Sequence, residues 1–287
     1  MIAIFKREFK SYFLTPIGYI YMGFFLLVAG VFFTFGNLLT RSSQFTGFLG
    51  GILFVYLFGI PLLTMRLFSE EKRQRTDQLL LTSPVSIPEI VLGKFFAAFS
   101  VYLITLLVTI MYALVVGIYG DLAFWETFGA YLGFLFLGAS YISVGVLVSA
   151  GTENQLTSAL VTFFSLLIIW LIDPISNSLP VEMVAGIIFA GVLVIALCAY
   201  IYLNTKNLYI TLGAFILGAI IILAVFFINK ALFIGFMRKF FSWFSLNKRF
   251  ESFAMGLLKI DSLVYYLSFT GLFLFLTVRL IEKRRWM

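Results

Sequence analysis

The chain has 287 residues, of which 62% are apolar and 11% charged, with 36 phenylalanines and a formal net charge of +7. A mean hydropathy of +1.08 excludes an ordinary soluble protein of one or two domains, because so much apolar surface has no single globular core to enter. The basic excess gathers at the ends of apolar runs, where it sets orientation and meets anionic lipid, so nucleic acid is not an expected partner.

Apolar segments occur at 17–39, 47–68, 90–120, 128–150, 156–173, 182–203, 208–228 and 263–280, eight in all. Crossing a bilayer as a helix takes roughly 20 apolar residues, and the alternation of a membrane barrel is missing. The predicted fold class is an all-α polytopic membrane protein, one membrane domain over 1–287. The first run is too long for the apolar core of a cleavable signal, and none is expected. The single cysteine, Cys198, allows no disulfide within the chain, and the absence of histidine removes most zinc sites and the usual proton shuttle.

Residues 1–15 precede the first span. Ile2, Phe5, Phe9, Tyr12 and Phe13 share one helical face, and Lys6, Arg7, Glu8 and Lys10 lie elsewhere. This is the pattern of an interfacial amphipathic helix. It serves either as a plain membrane anchor or as a docking helix, carried by Phe5, Lys6, Arg7, Phe9 and Lys10.

The densest block of charge follows the second span. Glu70, Glu71, Lys72, Arg73, Arg75 and Asp77 fall within eight positions, followed by Leu79, Leu80 and Leu81. One charge at the bilayer centre costs roughly 2.5–3.5 kcal/mol, so six would cost on the order of 15–20 kcal/mol. The segment 69–89 therefore lies outside the hydrocarbon. Thr76 can cap a short helix over the leucines, and Pro84 limits it. Its leucines either dip into lipid or plug a groove on a soluble partner. Ser86-Ile87-Pro88-Glu89 and Thr152-Glu153-Asn154-Gln155 both read as capping boxes that start the third and fifth spans.

Gly47/Gly51 and Gly129/Gly133 permit close helix packing, within the chain or at a dimer seam. Residues 229–261 carry two aromatic stripes, Phe233, Phe236, Met237, Phe240, Phe241 and Phe244, then Phe250, Phe253, Ala254 and Leu257. They predict two interfacial helices before the last span. Positive-inside bias puts both termini and 69–89 in the cytosol and 229–261 outside. The basic residues of that outer segment oppose the bias, so charge alone leaves its side open.

Glu126, Glu153 and Asp173 sit at segment ends, and no ionisable residue is read deep inside a span. A proton- or sodium-coupled transporter usually places such groups near mid-membrane. Gly93-Lys94 alone is no phosphate-binding loop, so energy for uphill transport would come from another subunit. No nucleophile is paired with a base, and an intramembrane enzyme is unsupported.

"FSEEKRQRTDQLLLTSPVSIPEIVLGK", Phe68 to Lys94, "TENQLTSALVTF" from Thr152, and "RFESFAMGLLKIDSLVYYLSFTGLFLFLTVRLIEKRRW", Arg249 to Trp286, resemble the ABC type-2 exporter permeases, most closely the gliding-motility branch. The resemblance implies the membrane subunit of an ATP-driven exporter, without a catalytic or metal site of its own. ATP and Mg would be bound by a separate cytosolic ABC ATPase. A second permease copy or homologue would complete the dimer, and an extracytoplasmic accessory protein is a further compatible partner. The implied coupling interface is Glu70, Glu71, Arg73, Arg75, Thr76, Asp77, Leu79, Leu80, Leu81 and Pro84, with the N-terminal helix as its neighbour. Shorter members have six spans, and the pair around 182–228 is extra. A self-contained channel or secondary transporter and a non-transporting scaffold are the competing readings.

Overall fold

A computed structural model describes residues 1–76 and 85–285, with the side chains of 284 and 285 outside the description. Among the described residues the chain is helical, without strands. The helices are α1 (Ile2–Leu14), α2 (Pro16–Phe33), α3 (Phe45–Gly51), α4 (Tyr56–Thr64), α5 (Ser69–Arg73), α6 (Ile87–Tyr119), α7 (Phe124–Gly151), α8 (Gln155–Ser178), α9 (Met183–Thr205), α10 (Leu208–Ile228), α11 (Phe236–Phe244), α12 (Leu246–Ala254) and α13 (Ile260–Arg285). Eight stretches among them are long and apolar enough to span a membrane, in the places the hydropathy predicts.

The chain forms two compact units, Met1–Ile169 with Leu246–Met287, and Trp170–Ser245. In the first unit α7 is the central helix, packed by α13, α12, α4, α6 and α3. Its glycines make this possible. A Cβ on Gly133 would lie 2.6 Å from Phe253 Cβ, and one on Gly129 would lie 2.5 Å from the Phe253 carbonyl oxygen. The Gly129/Gly133 pair is thus a seat for α12 within the chain. Phe250 and Phe253 are buried there, so α12 is more deeply packed than an interfacial helix. Buried tyrosines meet the polar needs of this interior. Tyr56 and Tyr102 hydroxyls donate to the Phe134 carbonyl oxygen at 2.9 and 2.7 Å.

The second apolar segment is not one regular helix. Gly50-Gly51 gives way to a 3-10 stretch, Ile52–Val55, and Pro61 sits inside α4, where it supplies no backbone donor. The two predicted capping boxes also part company. Ser86 and Glu89 form theirs at the start of α6. At 152–155, Asn154 Oδ1 accepts from Leu156 N at 2.9 Å, whereas the Thr152 hydroxyl turns back to the Val148 carbonyl at 3.1 Å. Asparagine is the better cap here because threonine is engaged in closing the preceding helix.

In the second unit α9 and α10 pair. Among the residues of α10 none is buried, and it is apolar on every side, as a helix in lipid can be. Phe236, Phe240 and Phe241 of α11 surround Phe189 of α9, with ring centroids at 6.0, 5.3 and 5.7 Å.

Candidate functional site

The site begins with a corner. Thr15 is extended and Pro16 opens α2, a position where its missing N–H costs nothing. A Cβ on Gly18 would stand 2.4 Å from the Tyr12 carbonyl oxygen, so only glycine lets α1 fold back this tightly. α1 then lies against the first turns of α6. At 33 residues, α6 is about 50 Å long, well beyond a hydrocarbon core of roughly 30 Å. Its first turns can therefore stand outside the bilayer.

Gly93 and Lys94 occupy those turns. A Cβ on Gly93 would be 3.1 Å from the Ile4 side chain, and the Lys94 side chain is fully buried, 0% exposed. Its Nζ lies 3.1 Å from Glu8 Oε1 and 3.0 Å from Glu71 Oε2 and donates to the Leu67 carbonyl oxygen at 2.6 Å. Three partners match the three donors of an ammonium group. The Phe68 ring, 5.1 Å from Nζ, adds a cation–π contact. Arg7 Nη2 bridges the same carboxylates, 2.6 Å from Glu8 Oε1 and 2.6 Å from Glu71 Oε1. Two cations and two carboxylates thus alternate around one point.

α5 is held on every side. Arg66 Nε pairs with Glu70 at 2.8 Å, and its Nη1 donates to Thr15 Oγ1 at 2.7 Å, at the α1–α2 corner. Ser149 Oγ accepts from the backbone N–H groups of Phe68 and Ser69 at 3.0 and 3.3 Å. Lys72 donates to the Ala150 carbonyl at the end of α7. The start of 69–89 is thereby tied to α1, α6 and α7 together. Burial by itself would push the Glu8 carboxyl up. Lys94 outweighs it, with help from Arg7, and holds the group below the ordinary carboxylate range.

α5 ends with Arg75 N donating to the Lys72 carbonyl at 3.0 Å and Thr76 N to the Glu71 carbonyl at 2.9 Å. This is the paired bond pattern of a helix end closed by a left-handed residue. Arg75 fills that place with φ +57°, where glycine is usual.

The predicted site residues divide accordingly. Glu71 stands in the cluster, engaged by Arg7 and Lys94, whereas Glu70 pairs with Arg66 beside it. Lys6, Lys10, Arg73 and Arg75 are exposed. Phe5 and Phe9 are half-buried and stack at 5.7 Å. The Thr76 hydroxyl donates to the Glu71 carbonyl at 3.3 Å. Asp77, Leu79, Leu80, Leu81 and Pro84 lie outside the described residues. Sequence reasoning missed the roles of Lys94 and Glu8. The available signal was a lysine two turns into a span, directly after a glycine.

These features define a multi-pass helical membrane protein with a charge-linked elbow at one end of its bundle. Residues 25–177, more than half of the chain, match the model of the ABC-2 family transporter proteins, and the chain belongs to that family. It is thus a membrane-spanning ABC transporter permease. The match runs from within α2 to near the end of α8 and includes the α5 segment and Lys94. No curated protein matches the chain.

Proposed function

We propose that this protein is the permease subunit of an ATP-driven exporter of the gliding-motility type, and that 69–89 receives work from a separate cytosolic ABC ATPase. The observation that carries this reading is the Lys94 cluster. It links the segment that leads into the leucines, the N-terminal helix and the long α6, while Ser149 and Ala150 tie the same segment to α7. A push on that segment would be passed to α6 and α7 as to one body, because buried ionic contacts hold discrete arrangements.

In this reading both termini are cytosolic, in the plasma membrane, and the partner ATPase binds ATP and Mg. Two permease chains, identical or homologous, form the dimer. Glu70 and Glu71 position the segment, and Arg73, Arg75, Lys6 and Lys10 present exposed positive charge to the ATPase. Leu79, Leu80 and Leu81 enter its groove, with Thr76, Asp77 and Pro84 flanking them in the sequence. Phe5 and Phe9 steady the N-terminal helix beside it.

The test is co-purification of the tagged permease with its cognate ABC ATPase from native membranes. Leu79→Asp with Leu80→Asp is expected to abolish ATPase recovery while membrane insertion persists. Undiminished recovery would refute the coupling assignment. Glu71→Gln is expected to keep the ATPase bound yet lower substrate-linked ATP hydrolysis, since it loosens the lever without touching the leucines.

A further inference from the structure

α12 enters the first unit rather than lying across its end. Its contacts with α7 run in order. Asn247 Oδ1 accepts from the Tyr141 hydroxyl at 2.9 Å, and the Phe250 ring lies 6.2 Å from that of Phe134. Phe253 then covers Gly133 and Gly129, and Gly256 meets Glu126. The helix therefore starts deep and climbs toward the start of α7. α13 gives the same reading, since the Tyr266 hydroxyl donates to the Leu246 carbonyl oxygen at 2.7 Å.

The depth follows from helix geometry. The charged ends of these helices, where Lys72 holds the Ala150 carbonyl and Arg279 pairs with Glu282, mark one edge of the hydrocarbon. A core of roughly 30 Å ends about 20 residues away at 1.5 Å per residue, near Ala130 on α7 and Lys259 on α13. The two counts agree, because a Cβ on Gly129 would stand 3.2 Å from Gly256 Cα. Tyr141 lies about 11 residues below that far edge and Tyr266 about seven, or roughly 16 and 10 Å. Their side chains lean toward the helix N-terminus and so toward the edge, yet the first turn of α12 still sits within the hydrocarbon layer.

This part of α12 is charged. Leu246, Phe250 and Phe253 take its buried face, and Arg249 is covered by the Tyr265 ring, 3.7 Å away. Lys248 and Glu251 fall on the opposite face and are exposed. Charge at such a depth faces water or protein rather than lipid.

We propose that the Lys248 and Glu251 face of α12 lines a water-filled vestibule, open at the Gly129 end of the first unit and reaching into the hydrocarbon layer. It admits small hydrophilic solutes. Under the permease reading it gives the polar part of a transported molecule a way out that avoids lipid, but the vestibule itself does not depend on that reading.

The experiment is EPR spectroscopy of the full chain, carrying Cys198→Ala, in phosphatidylcholine nanodiscs. One nitroxide is attached at Lys248→Cys, Glu251→Cys or Leu267→Cys. Both faces of a nanodisc meet solution, so neither orientation in the cell nor an ATPase affects the result. Leu267 is exposed, adjoins Tyr266 in depth and stands about 200° around α13 from Tyr265, away from α12. Oxygen concentrates in hydrocarbon, whereas a charge-neutral nickel chelate stays in water. The ratio of nickel to oxygen collisions is expected to be at least tenfold higher at 248 and 251 than at 267. A high ratio at all three positions would place α12 above the hydrocarbon. A low ratio at all three would place its charged face in lipid. Little access of either reagent to 248 and 251 would mean that protein covers the face. Each of these three results overturns the proposal.

Discussion

An ammonium group stripped of water costs several kcal/mol unless charged partners and hydrogen bonds surround it. Lys94 meets that condition through Glu8, Glu71 and the Leu67 carbonyl. Removing one member of a buried pair leaves the other uncompensated, at about 3–5 kcal/mol. Lys94→Met is therefore expected to destabilise the purified protein by an amount in that range. Glu8→Gln combined with Lys94→Met should cost less than the two single changes added together, since both remove the same contact. Additive losses in thermal unfolding would show that the residues act independently.

The same cluster sets a pH dependence. The Glu8 carboxyl is held below the ordinary range, so its contribution is complete above the unfolded-state value. It is lost as pH falls through the lowered native value. The stability gap between the wild-type chain and Glu8→Gln should hold near neutrality and close in acid. A gap that widens on acidification would mean the carboxyl is raised, the opposite sign.

At the scale of elements, small residues decide which helices touch. Gly133 lies under Phe253 and Phe250, and any larger residue must displace α12. Gly133→Leu is expected to cost about 1–3 kcal/mol or more through overpacking and to expose 246–254 to protease. Gly23, also in a span, has open space where a Cβ would stand, with no neighbouring atom within 4 Å. Gly23→Ala should be neutral or stabilising by up to about 1 kcal/mol. If the two variants behave alike, helix propensity rather than packing controls these sites.

Which elements were legible follows from how local their causes are. The eight apolar stretches and α1 rest on composition and on 3.6-residue periodicity, and both are written in consecutive residues. The break in the second segment rests on Gly50-Gly51 and Pro61, local signals that its uniform hydropathy masks. The role of Lys94 was not legible because its partner Glu8 is 86 residues away. Nothing near either residue announces the pairing. Asn154 displaced Thr152 as a cap for a similar reason, since the choice depends on where α7 ends.

At the scale of the whole molecule the open question is the side of 229–261, where basic residues oppose the positive-inside bias. The geometry of the first unit bears on it. α12 is seated at Gly129 and Gly133, near the start of α7. The α5 segment is tied to Ser149 and Ala150, near its end. Those points are about 20 residues apart along the helix, or roughly 30 Å at 1.5 Å per residue, the thickness of a bilayer's hydrocarbon core. α12 and the charge cluster therefore stand at opposite ends of α7, the separation that opposite faces of a membrane would require. The lone Cys198 is buried, and Cys198→Ala gives a clean background for labelling. Ser245 is buried, whereas Lys248 and Lys6 are exposed and make better reporters. With a membrane-impermeant maleimide, Lys248→Cys is expected to react in intact cells and Lys6→Cys only after permeabilisation. The reverse pattern would invert the chain in the membrane and place the leucines away from any cytosolic ATPase. Reaction of both from the same side would break the opposition that α7 imposes and leave 229–261 where the charges alone would put it.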